Sequence, residues 1–535
     1  MTRLVLDGAT YFDAEDALFY SVNIRLHRYA LYDAAGSGWQ LLCTAIDAWL
    51  PRTADAAVAG KLVARASGTA LLPLMYFTLI RLGVRGSLAV VVTLFFSGAF
   101  APWWYSLQPD KYVPQLLLIA LALGLVMTRE RPPTPTFLIG LGLLYFLAVI
   151  CHTDSGLICF SIFPLLYRTL RERGFWAALG QGVLCASVMF AVLAVYFSVL
   201  LFVVVRPSSV AQAIVWLQSY LSAPGEERNW GHWNPSAPLL ALTGIGRAVF
   251  STEFLFAFPG FATRMHAWFP AKILVDDEWF ASHLPAWLMN VGLVLFPAAI
   301  LAVVAVLLAG LCAFGDLLRR PNPRIVHAVA SALCYLVPAF IFFCWWEPTN
   351  NEFWIAPWYG LALVIGLLLS GAAWERSFVL FVGTCAGILI LFNGLLGVWP
   401  RLNPANDYWL VRQSALVRML QPEDLVIENG FLASDYLEFL GAPRVFRVDF
   451  FAEKNNGIGK QLDLELKQRP VAGSIYVTDL VTDAAAQYEM EASDVHLRNV
   501  AAFFADLPAP AQWLSAGGHK VAQYKGANLL WRSNP

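Results

Sequence analysis

Apolar segments alternate with short polar loops along the chain between residues 63 and 397. A helix needs roughly 20 predominantly apolar residues to cross a bilayer. About ten segments approach that length, and they lie at 63–81, 87–107, 112–128, 136–151, 153–167, 179–205, 286–314, 326–345, 354–372 and 377–397. The fourth and fifth are short, and their pattern favours a broken helical hairpin. We therefore predict a polytopic α-helical membrane domain over residues 63–397.

One connection, residues 206–285, is too long for a simple loop between spans, and its apolar runs are too short to cross. Five tryptophans are distributed among its prolines and glycines, at Trp216, Trp230, Trp233, Trp268 and Trp279. Indole rings favour the headgroup level of a membrane. We expect helices that lie in the interface rather than disorder.

The flanking regions have a different pattern. Residues 1–62 are amphipathic, with neither a spanning run nor a signal peptide. From residue 398 the composition is that of a soluble domain, and strand patterns at 424–428, 444–449 and 474–478 alternate with helical ones. The helical patterns lie near 405–420, 432–440, 459–469 and 494–506, and weak strands follow at 520–524 and 528–531. This alternation predicts a small parallel α/β domain over 398–535.

The arginines set the orientation. Every second loop is basic, namely 81–85, 129–131, 168–173, 319–324 and 375–376. The alternate loops, 108–111, 151–154, 206–285 and 346–352, are acidic, aromatic or neutral. The positive-inside rule places the basic set in the cytoplasm. Segment 1–62, the long loop and the C-terminal domain are then extracytoplasmic, and the protein is a multi-pass protein of the cytoplasmic (inner) membrane.

Composition narrows the function classes. Hydrophobic residues make up 58% of the 535 positions and charged residues 14%, whereas soluble proteins carry about 25% charged residues. The net charge of −1 and the scattered lysines and arginines give no indication of nucleic-acid binding, so we predict no nucleic-acid partner. The eight cysteines have neither disulfide nor metal-ligand spacing, so we interpret them as small apolar residues.

Three carboxylates, Asp13, Glu15 and Asp16, lie between aromatic residues near the start of the chain. Carboxylates at this position are also typical of a solvated first helical turn. Asp16 and Tyr20, however, are four residues apart and therefore on one face of a helix. A carboxylate placed there could serve as a general base toward an acceptor hydroxyl.

Further candidates lie in the alternate loops. Asp110 and Lys111 stand at the mouth between two spans, where Lys111 either extends to the interface or neutralises a phosphate. His152 begins the next loop, whose residues Thr153 to Gly156 also suit a plain turn.

Glu347, Asn350, Asn351 and Glu352 form a polar group between tryptophans, typical of either a capped loop or a sugar subsite. Asp276, Asp277 and Glu278 in the long loop are the candidate for a divalent cation, although adjacent acids are more often solvated. No metal ligand and no cofactor is assigned.

These residues resemble motifs of the GT-C superfamily of integral-membrane glycosyltransferases, including its protein O-mannosyltransferase and aminoarabinose-transferase branches. Glu15-Asp16-Ala-Leu-Phe-Tyr20 is similar to the acidic element of their first outer loop, and His27-Arg-Tyr-Ala-Leu-Tyr32 to the element that follows. Ser106-Leu-Gln-Pro-Asp110-Lys-Tyr112 is similar to their second outer loop. The span that precedes these motifs in the family has no counterpart before residue 63, Ala17 replaces one acid, and no proline follows the histidine.

The resemblance implies transfer of a hexosyl or pentosyl group from a polyprenyl-phosphate-sugar donor to a glycan, lipid or protein acceptor outside the membrane. Asp16 would be the base, Asp110 would orient a substrate, and Lys111 with His152 would stabilise the lipid-phosphate leaving group. Asp13, Glu15, Tyr20, Glu347 and Asn350 complete the predicted binding site. Two other classes stay open, a lipid-linked-glycan ligase, polymerase or transporter and a non-catalytic scaffold that presents the α/β domain.

Overall fold

The computed structural model describes most of the membrane domain and the core of the C-terminal domain. The described residues are 15–29, 32, 34–51, 55–207, 209–218, 231, 233, 235–268, 275–370, 375–428, 431–447, 473–478, 519–524 and 528–533. The predicted helices at 459–469 and 494–506 lie outside these ranges.

Two short helices precede the first span. Helix α1 runs over Glu15–Arg25 and α2 over Ser37–Asp47. Arg25 donates to Asp47 with Nη2–Oδ1 at 2.8 Å, which ties the end of α1 to the end of α2. The predicted amphipathic segment therefore folds back on itself beside the bundle.

Six helices are long and apolar enough to cross a membrane within the part of the chain that the structure describes. They span Val58–Arg81 (α3), Phe175–Val205 (α9, whose last six residues form a π-helix), Ala286–Arg319 (α14), Pro323–Trp346 (α15), Glu352–Ser370 (α16, after one 3-10 turn) and Ser377–Leu402 (within and beyond α17, Glu375–Asn393). Each coincides with a predicted segment, which confirms an integral membrane protein.

The other four predicted segments form shorter or interrupted helices. They are Gly86–Ser97 (α4) followed by Phe100–Tyr105 (α5), Tyr112–Met127 (α6), Pro135–Cys151 (α7), and a 3-10 segment Thr153–Ile162 followed by Phe163–Arg173 (α8). The predicted break in the hairpin lies at His152, between α7 and the 3-10 segment. Helix α7 has 17 residues, about 25 Å at 1.5 Å per residue, which is shorter than a typical hydrocarbon core.

Close packing in the bundle depends on glycine at two crossings. A Cβ on Gly142 would lie 2.7 Å from the backbone oxygen of Cys185, so α7 and α9 approach to backbone contact. A Cβ on Gly98 would lie 2.7 Å from the Ile390 side chain in α17. Helix α16 occupies the centre of the bundle, with 83% of its spanning window buried.

Two sets of loops lie at opposite ends of the bundle. At one end Arg324 forms an ion pair with Glu130 at 2.8 Å and donates to the backbone of Arg81, and Arg168 donates to the backbone of Glu130. We name this the arginine end. The loops holding Lys111, His152 and Asn351 meet at the other end, which also carries the C-terminal domain and is named the domain end. The structure thus groups the loops as the alternation of arginines predicted.

The long connection forms short helices at the domain end. These are Val210–Gln218 (α10), Ala237–Val249 (α11), a 3-10 turn at Glu253–Ala257, Pro259–Trp268 (α12) and Val275–Ser282 (α13). The Trp216 indole N–H donates to the backbone oxygen of Tyr32 at 3.0 Å. The prediction of short helices is confirmed.

The C-terminal domain combines a five-stranded sheet with helices α18 (Tyr408–Val417) and α19 (Phe431–Phe439). Its strands are Leu425–Glu428 (β1), Val445–Arg447 (β2), Ile475–Thr478 (β3), His519–Tyr524 (β4) and Asn528–Ser533 (β5), in the order β2-β1-β3-β5-β4. Strands β1, β2 and β3 are parallel, as predicted, whereas β5 pairs antiparallel with β3 and with β4. The last two strands are close together in the sequence, which favours antiparallel pairing.

Helix α1 lies against the C-terminal domain. Ala17 and Leu18 are fully buried with Tyr436 of α19 and Trp409 of α18 in one apolar cluster. At the edge of this contact Arg28 forms an ion pair with Glu438 at 2.8 Å. The helix that holds the predicted base is therefore enclosed between the membrane bundle and the α/β domain.

Candidate functional site

The centre of the candidate site is the side chain of Lys111, which is fully buried just before α6. Its Nζ donates to the Tyr20 hydroxyl at 2.8 Å and lies 4.7 Å from the centroid of the same ring. It also lies 6.0 Å from the ring centroid of Tyr112. A lysine that merely extends to the interface would be exposed, so this structure removes the simplest alternative for Lys111.

Local sequence explains how the lysine fits. The Asp110 carboxylate accepts from the Lys111 backbone N–H at 2.5 Å, which fixes the turn before α6. Gly36 packs against the aliphatic part of the Lys111 side chain, and a Cβ at Gly36 would lie 3.0 Å from Lys111 Cδ. Gly60 allows α3 to approach Pro109, where a Cβ would lie 2.7 Å away. Small residues on two neighbouring elements thus make room for the loop.

Trp39 of α2 supports Tyr20 from the other side. The two rings meet edge to face with centroids 5.7 Å apart. The Trp39 indole N–H is buried and has no hydrogen-bond partner among the described residues. Buried donors are nearly always satisfied in native proteins, so this group is a candidate to donate to a bound molecule.

His152 joins the site through Tyr112, with ring centroids 5.2 Å apart. Its Nδ1 lies 2.5 Å from the Asp154 carboxylate, which also accepts from the Gln115 amide at 2.5 Å. A carboxylate in this position holds an imidazole in one orientation. The segment from Thr153 to Gly156, predicted as a turn, therefore also positions His152 through the Asp154 carboxylate.

The fourth loop reaches the same cluster through Asn351 and Glu352, two members of the polar group noted in the sequence. The Tyr105 hydroxyl donates to Glu352 at 3.0 Å and also lies 3.3 Å from the Asn351 side-chain oxygen. The centroid of the Tyr112 ring lies 5.8 Å from that of the Phe353 ring. Asn350, in contrast, accepts from the Glu352 backbone N–H at 3.1 Å and stabilises the loop itself. Glu347 lies at the start of this loop, immediately after α15.

The acidic residues are only partly described. Asp13 lies outside the described ranges, and the structure gives only the backbone of Glu15 and Asp16, the first two residues of α1. Tyr20 follows Asp16 by one helical turn, as predicted, and its hydroxyl contacts Lys111. The assignment of Asp16 as the base stays a prediction.

Two of the three adjacent acids of the long loop, Asp276 and Glu278, contact different partners. Asp276 accepts from the Trp409 indole at 3.0 Å, while Glu278 lies 2.7 Å from His266. Across the described residues no group of three or more His, Cys, Asp or Glu side chains is arranged to hold a metal ion. The Asp276 contact instead connects the long loop to the C-terminal domain.

A second buried charged cluster was not predicted from the sequence. Arg401, after the last span, pairs with Glu253 of the long loop at 3.1 Å, and both side chains are almost completely buried. The Ser251 hydroxyl donates to Glu253 at 2.7 Å, and the Arg401 guanidinium lies 4.4 Å from the Phe280 ring centroid. Burial raises the pKa of Glu253, but the Arg401 and Arg247 guanidinium groups and the Ser251 hydrogen bond outweigh it and hold the pKa below its ordinary value.

A third polar group lies at the carboxyl ends of the three parallel strands. Arg447, Glu428 and Thr478 end β2, β1 and β3 and stand beside one another in the sheet. Glu428 accepts from the Thr478 hydroxyl at 2.5 Å, and Arg447 pairs with Asp435 at 2.6 Å. The Arg447 guanidinium also lies 5.9 Å from the Phe19 ring of α1, so this edge of the sheet faces the N-terminal helix.

Several features together define the fold class. An apolar helical bundle carries its buried polar residues at one end, juxtamembrane helices lie at that end, and a small α/β domain packs over them. These features confirm the polytopic α-helical membrane fold with a C-terminal α/β domain that the sequence predicted.

One solved structure with this fold is ArnT from Cupriavidus metallidurans bound to undecaprenyl phosphate. It superposes with a TM-score of 0.52 at 11% sequence identity, over 99% of this chain and 95% of that chain. The same protein in the apo state gives a TM-score of 0.48 at 13% identity with the same coverage. No family model matches the sequence, and no curated protein matches it.

Proposed function

We propose that the protein transfers a sugar from a polyprenyl-phosphate donor to an acceptor on the extracytoplasmic side of the cytoplasmic membrane. The observation that carries the proposal is the fully buried Lys111 ammonium at the domain end of a fold that holds undecaprenyl phosphate in ArnT. Lysine binds phosphate groups through charge-assisted hydrogen bonds, and a membrane supplies lipid phosphates at this end of the bundle.

The reaction requires a stabilised leaving group. The acceptor oxygen attacks the anomeric carbon, the bond from that carbon to the phosphate oxygen breaks, and the electron pair leaves with the polyprenyl phosphate. Negative charge therefore grows on the phosphate in the transition state. Lys111, together with the Trp39 indole N–H, would stabilise this charge from preorganised positions.

The acceptor must also lose its proton. We assign this role to Asp16, because α1 places it one turn before Tyr20, whose hydroxyl contacts Lys111. Helical spacing puts residues four apart on one face, so the base and the phosphate-binding cation would act from neighbouring positions. The proton released from the acceptor hydroxyl would pass to the Asp16 carboxylate.

The other predicted residues take supporting roles. Asp110 fixes the Lys111 turn, and His152, oriented by Asp154, would contact the donor phosphate. The loop with Glu347 and Asn350 would border the sugar, and Asp13 and Glu15 the acceptor. The predicted orientation is supported by the collection of basic loops at the opposite end of the bundle.

The C-terminal domain would contribute to the acceptor site. Carboxyl ends of parallel strands are the usual ligand-binding edge of an α/β sheet. Here Arg447, Glu428 and Thr478 form that edge, and Arg447 lies near Phe19 of α1. An acceptor bound between this edge and α1 would reach the proposed base.

Binding and transfer by purified protein test the proposal separately. Undecaprenyl phosphate and undecaprenol, which lacks the phosphate, are titrated against wild type, Asp16→Asn and Lys111→Met. We expect wild type to prefer the phosphate lipid, Lys111→Met to lose at least ten-fold of that preference, and Asp16→Asn to keep it. Equal binding of the two lipids by wild type would contradict a polyprenyl-phosphate site.

Transfer is measured as release of free undecaprenyl phosphate from donors that carry a pentosyl or a hexosyl group. General-base catalysis contributes about 10²–10⁴-fold, so Asp16→Asn should lower the rate by that order. Asp316→Asn, a largely exposed acid at the arginine end, is the control and should retain the wild-type rate. A folded Asp16→Asn protein with full transfer activity would remove Asp16 from the role of base.

A further inference from the structure

A groove lies at the arginine end of the bundle, opposite the end that holds the candidate site. It encloses about 350 Å³ between the loop before α7 and the first turns of α9. Its polar and aromatic walls include Arg173 and Trp176, and its floor includes Leu138. We name it the proline groove because Pro132, Pro133 and Pro135 form one wall.

The proline wall is fixed by hydrogen bonds. The Gln181 amide donates to the backbone oxygen of Pro133 at 3.1 Å and accepts from the Thr169 hydroxyl at 2.7 Å. Arg129 lies with its guanidinium 4.3 Å from the Phe137 ring centroid. These contacts hold the loop to α7, α8 and α9, so the groove is a built feature and not a gap beside a free loop.

The groove opens toward lipid along α9. This helix is the least enclosed of the six long spans, with only 11% of its spanning window buried. Trp176, Gly180, Val183 and Phe190 recur at helical spacing along one side, and Trp176, Val183 and Phe190 are more than half exposed. An apolar chain lying on this stripe would place its polar end in the groove.

The charge around the groove is positive. Arg131, Arg171 and Arg173 are exposed there, and Glu172 is the one acid between the last two. The nearby Glu130 is paired with Arg324 at 2.8 Å. Basic pockets between helices at the membrane surface favour anionic headgroups, and ligand pockets begin at about 300 Å³, so this groove has room for one.

From these observations we propose that the proline groove binds an anionic glycerophospholipid, with its headgroup phosphate on Arg173 and its acyl chains along the exposed side of α9. Trp176 would lie at the glycerol level, where tryptophan is favoured. The site lies at the opposite end of the bundle from Lys111, so the lipid would be a bound structural lipid and not the sugar donor.

Two variants test the proposal in complementary ways. Arg173→Gln removes the charge from an exposed position without disturbing the core. Gly180→Leu fills the groove without a change of charge, because a Cβ on Gly180 meets no heavy atom within 4 Å. Arg320→Gln, an exposed arginine at the same end but beyond α14, is the matched control.

Lipid binding is measured by native mass spectrometry of the full chain in detergent, with phosphatidylglycerol and phosphatidylcholine of identical acyl chains. We expect the wild-type protein to retain one molecule of phosphatidylglycerol in preference to phosphatidylcholine. Arg173→Gln should weaken that binding about five-fold, which corresponds to about 1 kcal/mol for one basic side chain near an anionic surface. Gly180→Leu should weaken the binding of both lipids. Arg320→Gln should change the binding of neither lipid by more than about two-fold.

Three outcomes would overturn the inference. These are equal retention of the two lipids by wild type, wild-type binding by both Arg173→Gln and Gly180→Leu, and binding of undecaprenyl phosphate in place of phosphatidylglycerol at this groove. None of them bears on Lys111, so failure here is distinguishable from failure of the proposed transferase function.

Discussion

Arg401 and Lys111 are buried cations at the domain end of the protein, and their surroundings differ. Arg401 lies against the Glu253 carboxylate at 3.1 Å, with three aromatic rings, those of Phe280, Phe100 and Trp104, at 4.4 to 5.6 Å from the guanidinium. Lys111 donates to a phenol hydroxyl at 2.8 Å, and its backbone N–H is held by Asp110. The first cation therefore contacts a buried carboxylate, whereas the second contacts a phenol hydroxyl.

This difference separates stability from function. A buried ion pair whose partners are both fixed stabilises the arrangement of the elements that carry it, here the long loop and the end of the last span. A buried cation oriented by a neutral oxygen is preorganised to receive an anion. Loss of the Arg401 charge should therefore lower mainly the stability of the fold. Loss of the Lys111 charge should lower mainly the rate of transfer.

The largest expected effect is on folding. Arg401→Met leaves Glu253 buried without its main countercharge and should destabilise the protein by about 3–5 kcal/mol. Thermal unfolding in detergent measures the loss. Arg320→Met, at an exposed position, is the control, and equal unfolding temperatures for the two variants would show that the Arg401 pair contributes nothing.

Lys111→Met should have the next largest effect, and on a different quantity. Removing one preorganised donor from a developing negative charge costs about 2.7–4 kcal/mol, so transfer should fall about 10²–10³-fold. Methionine has a similar length and keeps the packing of the lysine stem, so the unfolding temperature should fall less than in Arg401→Met. A Lys111→Met protein with a much lower unfolding temperature but a normal transfer rate when folded would show that Lys111 acts in stability and not in transfer.

The pH dependence of stability sharpens the first half of the comparison. Because the folded pKa of Glu253 lies below its ordinary value of 4.5, the stabilisation is fully present above pH 4.5 and is lost as pH falls through the lower folded value. Unfolding temperatures of wild type and Glu253→Gln are compared from pH 7 to pH 3. Their difference should narrow toward low pH, and a constant difference would contradict the assigned pKa direction.

Tyr20→Phe should give the smallest effect. It removes the hydroxyl that orients Lys111 but keeps the ring against Trp39. One hydrogen bond to a charged group contributes about 1.5–3 kcal/mol, so transfer should fall about 10- to 100-fold while phosphate-lipid binding falls less. Loss of binding equal to that in Lys111→Met would mean that Tyr20 itself holds the phosphate.

The sequence was sufficient for features that depend on local pattern. Spans, the break at His152 and the two sets of loops follow from hydrophobic runs and arginine placement, and the candidates Asp110, Lys111 and His152 came from the same alternation. Contacts between distant positions were beyond it. Arg401 and Ser251 are 150 positions apart, and Tyr105 meets Asn351 across 246 positions. No local spacing encodes which of several polar loop residues turns inward, which is why Asn350 was chosen and Asn351 was not.

The sheet shows the same limit. The apolar pattern located β1, β2 and β3 to within about two residues, because a buried strand is a continuous run of apolar residues in the sequence. The antiparallel pairing of β4 and β5 depends on their short connection and on the partner strand. The carboxyl-end row of Arg447, Glu428 and Thr478 depends on register, which is set only when the strands assemble.

The contact between α1 and α19 has a consequence for biosynthesis. Arg28 and Glu438 are 410 positions apart, and translation proceeds at about 5–20 residues per second, so roughly 20–80 s separate the synthesis of the two residues. Throughout that interval α1 has no C-terminal domain to pack against. Helix α1 would reach its final position only after the bundle is built, so under the proposed function a nascent chain already in the membrane would be unable to act on a lipid donor.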